Sequence, residues 1–181
     1  MIEEHGTMTK LLKAFITGDD AVAAVEFALI FPVLVTIFLA SVDLGQALWM
    51  NRKVIATSQT VGDLLARSDT VDDALIADVI DAADLIMEPF DFAEVGYDII
   101  SIRFDDDDAL PEIAWRETVG MPADDRFPEL ADGLGAEGDG VMAVVVTATF
   151  EPVFYGFVLG DIDMTETAFL RGRRQPFVGR D

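Results

Sequence analysis

The sequence predicts an α+β protein with a long N-terminal transmembrane and stem helix, a second amphipathic helix and a small antiparallel β-sheet. Residues 21–42 contain one charged side chain, that of Glu26. The helical spacing of apolar residues then continues to about residue 67, and a second helical pattern begins near residue 70. From residue 97 onward apolar residues recur at every second position, as they do in strands. Helices packed on one face of an antiparallel sheet form a common α+β architecture.

The composition combines strong acidity with high apolarity, which indicates an acidic exposed part beside an apolar segment. The 181 residues carry a net charge of −22, yet 51% of them are hydrophobic. This charge argues against nucleic acid as a partner, because phosphate binding needs clustered Lys and Arg. There is no cysteine, and the one histidine is His5. We therefore predict no catalytic residue, cofactor or metal site, and no enzymatic activity.

Residues 22–42 are predicted to form a transmembrane helix. At 1.5 Å per residue, about 20 residues cross a bilayer core of ~30 Å. One alternative is the buried helix of a soluble protein. Another is a secretory signal cleaved at Leu39–Ser41, although such a signal needs basic residues directly before its apolar core. Here Asp19 and Asp20 occupy that position.

The rest of the chain is predicted to form a helical stem over residues 43–68 and an exported α+β domain over residues 69–181. Trp49 lies where an interfacial anchor would be useful. Thr70 is the predicted N-cap of the second helix, which should end at Glu88-Pro89. The apolar residues predicted to recur along the stem are Leu44, Leu48, Val54, Ile55, Val61 and Leu65. The predicted strands are residues 97–104, 112–119, 141–151 and 162–171.

Three further segments bear on function or disorder. "GLGAEG" at residues 133–138 fits the pattern GxGxxG, but a strand follows it, so a hairpin loop is predicted instead of a dinucleotide site. The acidic run Asp105–Asp108 is predicted to be a solvated turn, with a weak calcium site as the alternative. The basic C-terminal segment, residues 171–181, is expected to fray.

Glu26 is the residue that the composition of the span does not explain. An ionisable side chain inside a membrane segment indicates function, because its burial without a partner is costly. The alternative is a Glu at the edge of the membrane whose carboxylate reaches the headgroups. A cationic partner within the membrane is the functional interpretation.

The segment "AVAAVEFALIFPVLVTIFLASVDLGQALWMNRKV" resembles the N-terminal part of the TadE/TadF/TadG pseudopilin-like proteins of the Tad (Flp) pilus system. The shared features are small residues followed by "VEFALIFP", an apolar run, and the acidic-Leu-Gly step in "VDLGQAL". The later strings "VVVTATFEPVFYG" and "ETAFLR" also resemble the C-terminal part of that group. The resemblance therefore implies a pilin-like α+β fold.

The resemblance also implies a cytoplasmic leader, residues 1–21, that a prepilin peptidase removes between Ala21 and Val22. Glu26 would then be the fifth residue of the mature protein, and Phe27 the aromatic residue that follows it. The family usually has glycine at the position that Ala21 occupies here. The new amino group of one subunit and Glu26 of a neighbour would neutralise each other and favour assembly in one register.

The function that this resemblance implies is that of a single-pass pseudopilin of the bacterial inner membrane with a periplasmic domain. Its partners would be the prepilin peptidase, other Tad pilins or pseudopilins, inner-membrane platform proteins and the membrane itself. The alternative function is a secreted or periplasmic acidic binding module, possibly one that binds calcium.

Overall fold

A computed structural model describes residues 19–90, 95–173, 175 and 177–181. The predicted α+β architecture is confirmed, with a long apolar N-terminal helix, a second helix and an antiparallel sheet. The chain divides into two compact units, one that ends at Leu44 and one that spans Gly45–Asp181. Residues 1–18 of the predicted leader lie outside the described residues.

The helices, in chain order, are α1 Asp19–Leu65, α2 Asp73–Met87 and α3 Gly156–Leu159. The strands are β1 Thr70–Val71, β2 Val95–Phe104, β3 Pro111–Val119, β4 Gly140–Phe150, β5 Ile162–Arg171 and β6 Gly179–Arg180. All four long strands were predicted, and the predicted bounds of β5 agree with the structure. A 3₁₀ turn, Glu129–Ala131, lies between β3 and β4.

The C-terminal part of α1 supplies much of the core of the second unit. Its buried apolar residues lie four or seven residues apart, on one face of the helix, and are Met50, Val54, Val61 and Leu65. The predicted stripe also contained Leu44 and Leu48, which are 60% and 56% exposed. Gly62 lets the helix approach the sheet, because a Cβ there would overlap Cδ1 of Leu170 and lie 3.5 Å from Cγ2 of Val144.

Helix α2 begins later than predicted. Asp72 is its N-cap and accepts a hydrogen bond from the backbone N–H of Leu75 at 2.8 Å. Thr70 lies instead in β1, where it pairs with Gly179. The prediction of Thr70 as the cap was wrong because strand pairing with a distant segment holds its backbone. The predicted end of the helix is confirmed, since Met87 is its last residue.

The four long strands form an antiparallel sheet in the order β3-β2-β4-β5. One face packs against α1 and α2 through residues such as Ile99 and Val144. The opposite face is covered by the segment between β3 and β4, through Phe127 and Ala131. The prediction placed the second helix over one face. The prediction did not include the packing of α1 on the same face. It also did not include the loop that covers the other face.

Residues 177–181 pack against the rest of the fold and include β6, so the prediction that the C-terminal segment frays was wrong. Val178 is 4% exposed, and its carbonyl accepts hydrogen bonds from Oγ of Ser101 at 2.9 Å and Nε1 of Trp115 at 2.8 Å. Arg180 forms ion pairs with Asp73 and Glu117. The basic composition misled the prediction because the acidic partners of Arg180 lie far away in the sequence.

Candidate functional site on the N-terminal helix

Helix α1 presents a continuous apolar surface along residues 22–42. Its most apolar window of 18 residues has a mean hydropathy of 2.5 and is 0% buried. Leu29, for example, is 73% exposed. By length and composition the helix can cross a membrane, which makes it compatible with a single-pass anchor. In water so much exposed apolar surface would be strongly unfavourable, at ~25 cal/mol per Å².

The predicted site residues lie within the first turns described for this helix. Ala21 and Val22 both belong to α1, which begins at Asp19. Val22 is 58% exposed and Phe27 is 60% exposed, and Glu26 is also exposed. Because residues four apart lie on the same face of a helix, Val22 and Glu26 are neighbours along that face. Helical side chains also tilt toward the N-terminus, so the position of Glu26 favours contact with groups near Val22.

Phe27 belongs to an aromatic pair on the exposed surface. Its ring centroid lies 5.5 Å from that of Phe31, and the two ring planes are inclined by 38°. Pro32 follows directly within the helix. Since proline has no N–H, the carbonyl of Ala28 loses its usual helical donor. Phe27 and Phe31 thus make the helix surface beside Glu26 aromatic. The helix also lacks the backbone hydrogen bond that would join Ala28 and residue 32.

The uncharged polar side chains of residues 22–42 are those of Thr36 and Ser41. The Thr36 hydroxyl donates to the carbonyl of Pro32 at 2.8 Å, and the Ser41 hydroxyl donates to that of Phe38 at 2.6 Å. Hydroxyls that bond to their own helix are tolerated in an apolar environment. Glu26 is therefore the side chain of this segment whose charge requires a partner or water.

A buried ion-pair network in the second unit was missed by sequence reasoning. Asp98 of β2 is 0% exposed and accepts a hydrogen bond from Nε of Arg116 at 2.8 Å. Arg116 also donates to the carbonyl of Asp124 at 2.8 Å, and the N–H of Asp124 donates to Asp98 at 2.9 Å. The one sequence indication was an Asp inside an apolar strand. Because its members are mutually satisfied, this network fixes the loop after β3 on the sheet.

The pKa values of this network follow from its charges. The hydrogen bond to Asp98 raises the pKa of Arg116 above its ordinary value, against the effect of burial. The Arg126 side chain lowers the pKa of Asp124, again against the effect of burial. Both shifts favour the charged forms that the network needs.

The acidic run Asp105–Asp108 forms the turn between β2 and β3. Asp105 accepts a hydrogen bond from the N–H of Asp107 at 2.8 Å, and Asp108 accepts one from the N–H of Leu110 at 3.1 Å. Asp106 pairs with Arg103 at 2.7 Å. These carboxylates stabilise the turn itself. Among residues 19–90 and 95–173 and the described C-terminal residues, no group of three or more acidic or histidine side chains is arranged to hold a metal ion.

Comparison with known families gives a match that lies within helix α1. Residues 21–62 match the model of the family described as TadE-like protein, which confirms the predicted resemblance. The match begins at Ala21 and includes Val22, Glu26 and Phe27. Comparisons with curated proteins and with solved structures give no significant match.

Proposed function

We propose that this protein is a membrane-anchored, pseudopilin-like component of a Tad pilus assembly machine, because residues 21–62 match the model of the TadE-like family. TadE-like pilus components are structural, so its role is to contact other subunits and not to catalyse a reaction. The observation that carries this proposal is the coincidence of the family match with a helix whose apolar window is 0% buried.

In this proposal the chain has four functional segments. Residues 1–21 are the cytoplasmic leader, residues 22–42 the span, residues 43–68 the stem and residues 69–181 the periplasmic domain. The inner membrane holds the protein, and the platform proteins of the machine and other pseudopilins are its partners. In this proposal the long acidic remainder lies outside the bilayer, since its charge is unsuited to the apolar interior of the membrane.

Processing by a prepilin peptidase between Ala21 and Val22 completes the proposed site. It creates an ammonium group at Val22, one helical turn from Glu26. In a bundle of such helices, the carboxylate of one subunit then meets the amino terminus of its neighbour. Burying these two charges together costs far less than burying either alone, so the pair selects one register among neighbouring helices.

N-terminal sequencing of the mature protein from its own host tests this function. We expect the sequence to begin at Val22 and the protein to be in the membrane fraction. A strain without the prepilin peptidase is the control and should retain the leader. A mature chain that still begins at Met1 would contradict processing. Soluble mature protein that begins near residue 42 would instead favour the secreted binding module.

A further inference from the structure

Strand β5 forms one edge of the antiparallel sheet in the second unit. Among the described strands it pairs with β4 alone, so the backbone N–H and C=O groups along its outer side have no strand partner. None of the residues of β5 is buried, whereas most residues of β4 are. An edge of this kind can accept a further strand from another chain.

The opposite edge of the sheet, β3, is less suited to such pairing. Strand β3 begins at Pro111, and proline cannot donate a ladder hydrogen bond. Its pairing with β2 changes register between Ser101 and Ile102, and a bulge of this kind twists an edge away from regular pairing. Strand β5 contains no proline or glycine, and it pairs with β4 in an unbroken register. A further strand would therefore meet a regular row of backbone groups at β5.

A cavity lies beside the C-terminal end of β5. Its volume is about 190 Å³, and it is lined by Leu134, Val141, Phe169, Leu170 and Arg171. The side chains of Leu134 and Phe169 are each 39% exposed. A strand added to β5 would project alternate side chains over this face of the sheet. The side chain opposite Phe169 would then lie next to the cavity, which favours an apolar residue at that position.

The charges of β5 indicate the chemistry of the added strand. In the part of the chain that the structure describes, Asp163 and Glu166 form no ion pair with a basic side chain. Arg171 instead lies 3.5 Å from a carboxylate oxygen of Asp139 and donates to the carbonyl of Leu134 at 2.8 Å. Opposite charges directly across two strands stabilise their pairing, and like charges oppose it. A strand with basic residues opposite the two unpaired carboxylates is therefore complementary to β5.

We propose that β5 binds an extended, basic segment of a partner protein, which joins the sheet as a further strand antiparallel to β5. The partner residue opposite Phe169 is apolar, and the residues three and six positions later are basic and lie opposite Glu166 and Asp163. Backbone hydrogen bonds hold the segment, and these three side chains select it. A second copy is disfavoured, because each copy carries a net charge of −22 and repels another. The inference concerns the second unit alone and does not depend on the membrane anchoring proposed above.

Disulfide trapping tests this pairing, since the chain has no cysteine of its own. Directly opposed Cα atoms in antiparallel strands are about 4.5–5.5 Å apart, which a disulfide can span. The probe is the peptide Thr-Thr-Val-Thr-Cys-Lys-Thr-Val-Lys, whose first valine would lie opposite Phe169 and whose cysteine would lie opposite Thr167. The test variant is Thr167→Cys in the full chain. The matched control is Thr118→Cys, an exposed threonine on the other edge strand, β3.

The measurement is the fraction of the detergent-solubilised chain that forms a disulfide with the peptide in a glutathione buffer. We expect this yield to be at least several-fold higher for Thr167→Cys than for Thr118→Cys. Thr165→Cys should also react less, because it would lie opposite a different peptide residue. A peptide with glutamate for both lysines should lower the yield at least several-fold, and so should Asp163→Asn and Glu166→Gln together in the test variant. Circular dichroism checks that each variant is folded.

Three results would overturn the inference. Equal yields for Thr167→Cys and Thr118→Cys would show that β5 has no preference for an added strand. Equal yields with the lysine and glutamate peptides would remove the basic partner. A disulfide-linked dimer of Thr167→Cys that forms without peptide, in higher yield than the dimer of Thr118→Cys, would assign this edge to a second copy.

Discussion

At the residue scale, Glu26 carries the proposed assembly function. If Glu26 pairs with the processed amino terminus of a neighbouring subunit as proposed, removing its charge would leave that amino terminus unpaired in the membrane. We therefore expect Glu26→Ala and Glu26→Gln to lower incorporation into the pilus machine at least several-fold, whereas Glu26→Asp keeps the charge and retains part of it. Co-purification with partner subunits and counts of pili per cell measure this loss.

The controls for Glu26 separate assembly from membrane insertion. Both neutral variants should remain in the membrane after carbonate extraction, because they make the span more apolar. Ser41→Ala removes a hydroxyl that donates to the carbonyl of Phe38 in the same helix, and it should assemble normally. Normal pilus formation by Glu26→Ala would contradict the proposed charge pair.

The buried pair of Asp98 and Arg116 should be important for stability. Arg116→Met leaves Asp98, which is 0% exposed, without its cationic partner. Loss of one member of a buried pair costs about 3–5 kcal/mol, so we expect the free energy of unfolding to fall by that amount in denaturant titrations of the detergent-solubilised chain.

Arg103→Met is the matched control for this loss. The ion pair of Arg103 with Asp106 is exposed, with side-chain exposures of 52% and 67%. Exposed pairs contribute about 1 kcal/mol or less, so this variant should unfold nearly as the unmodified chain does. Equal losses for the two variants would show that the Asp98 network is not specifically stabilising.

At the element scale, helix α1 offers a paired test of its packing on the sheet. A side chain at Gly62 would collide with Leu170, so Gly62→Val should destabilise the fold by about 1–3 kcal/mol through overpacking. Gly45 lies in the same helix with nothing within 4 Å of a Cβ. Gly45→Ala should therefore stabilise the helix by up to about 1 kcal/mol.

Thermal unfolding followed by circular dichroism compares the two glycine variants. Adding Leu170→Ala to Gly62→Val should recover part of the loss, because it removes the side chain that the new methyl groups meet. If Gly62→Val were as stable as Gly45→Ala, the close approach of α1 to β4 and β5 would be wrong.

The elements also show what the sequence could and could not predict. The four long strands were predictable because alternation of apolar residues depends on neighbours within the same strand. The N-cap of α2 and the order of the C-terminus were missed for one shared reason. Thr70 and Gly179 are more than a hundred residues apart, yet they pair as β1 and β6. Pairing between such distant segments overrides local preference and leaves no periodic pattern.

At the scale of the whole molecule, the net charge of −22 makes the dependence of stability on pH informative. Arg126 holds the pKa of Asp124 below its usual value. A carboxylate with a lowered pKa stabilises the fold above its unfolded pKa of about 3.9, and that contribution disappears as pH falls through the lower folded value. Asp124→Asn should therefore lose less stability than the unmodified chain on acidification below about pH 4.

The comparison is the difference in free energy of unfolding between the unmodified chain and Asp124→Asn at each pH. This difference removes the general relief of charge repulsion at low pH, which both chains share. Denaturant titrations at pH 6, 4 and 3 give the free energies of unfolding for comparison. Arg126→Met should behave like Asp124→Asn, since it removes the main cause of the shift. Parallel pH profiles for all three chains would contradict the assignment.

The candidate site itself was predictable only in part. Hydropathy alone indicates the span, and the cost of an isolated charge draws attention to Glu26. The proposed role of Glu26 rests on the family resemblance, because its proposed partner belongs to another subunit and leaves no trace in the periodicity of one chain.

The pairing of β6 with β1 has a practical consequence for tagging this protein. The N–H of Asp181 donates to the carbonyl of Val71 at 3.1 Å, so anything fused directly after Asp181 would begin against β1 and needs a flexible linker. A tag placed before Ala21 would leave with the leader on the proposed processing. The exposed turn around Leu110 is the better position for an epitope that reports where the mature protein resides.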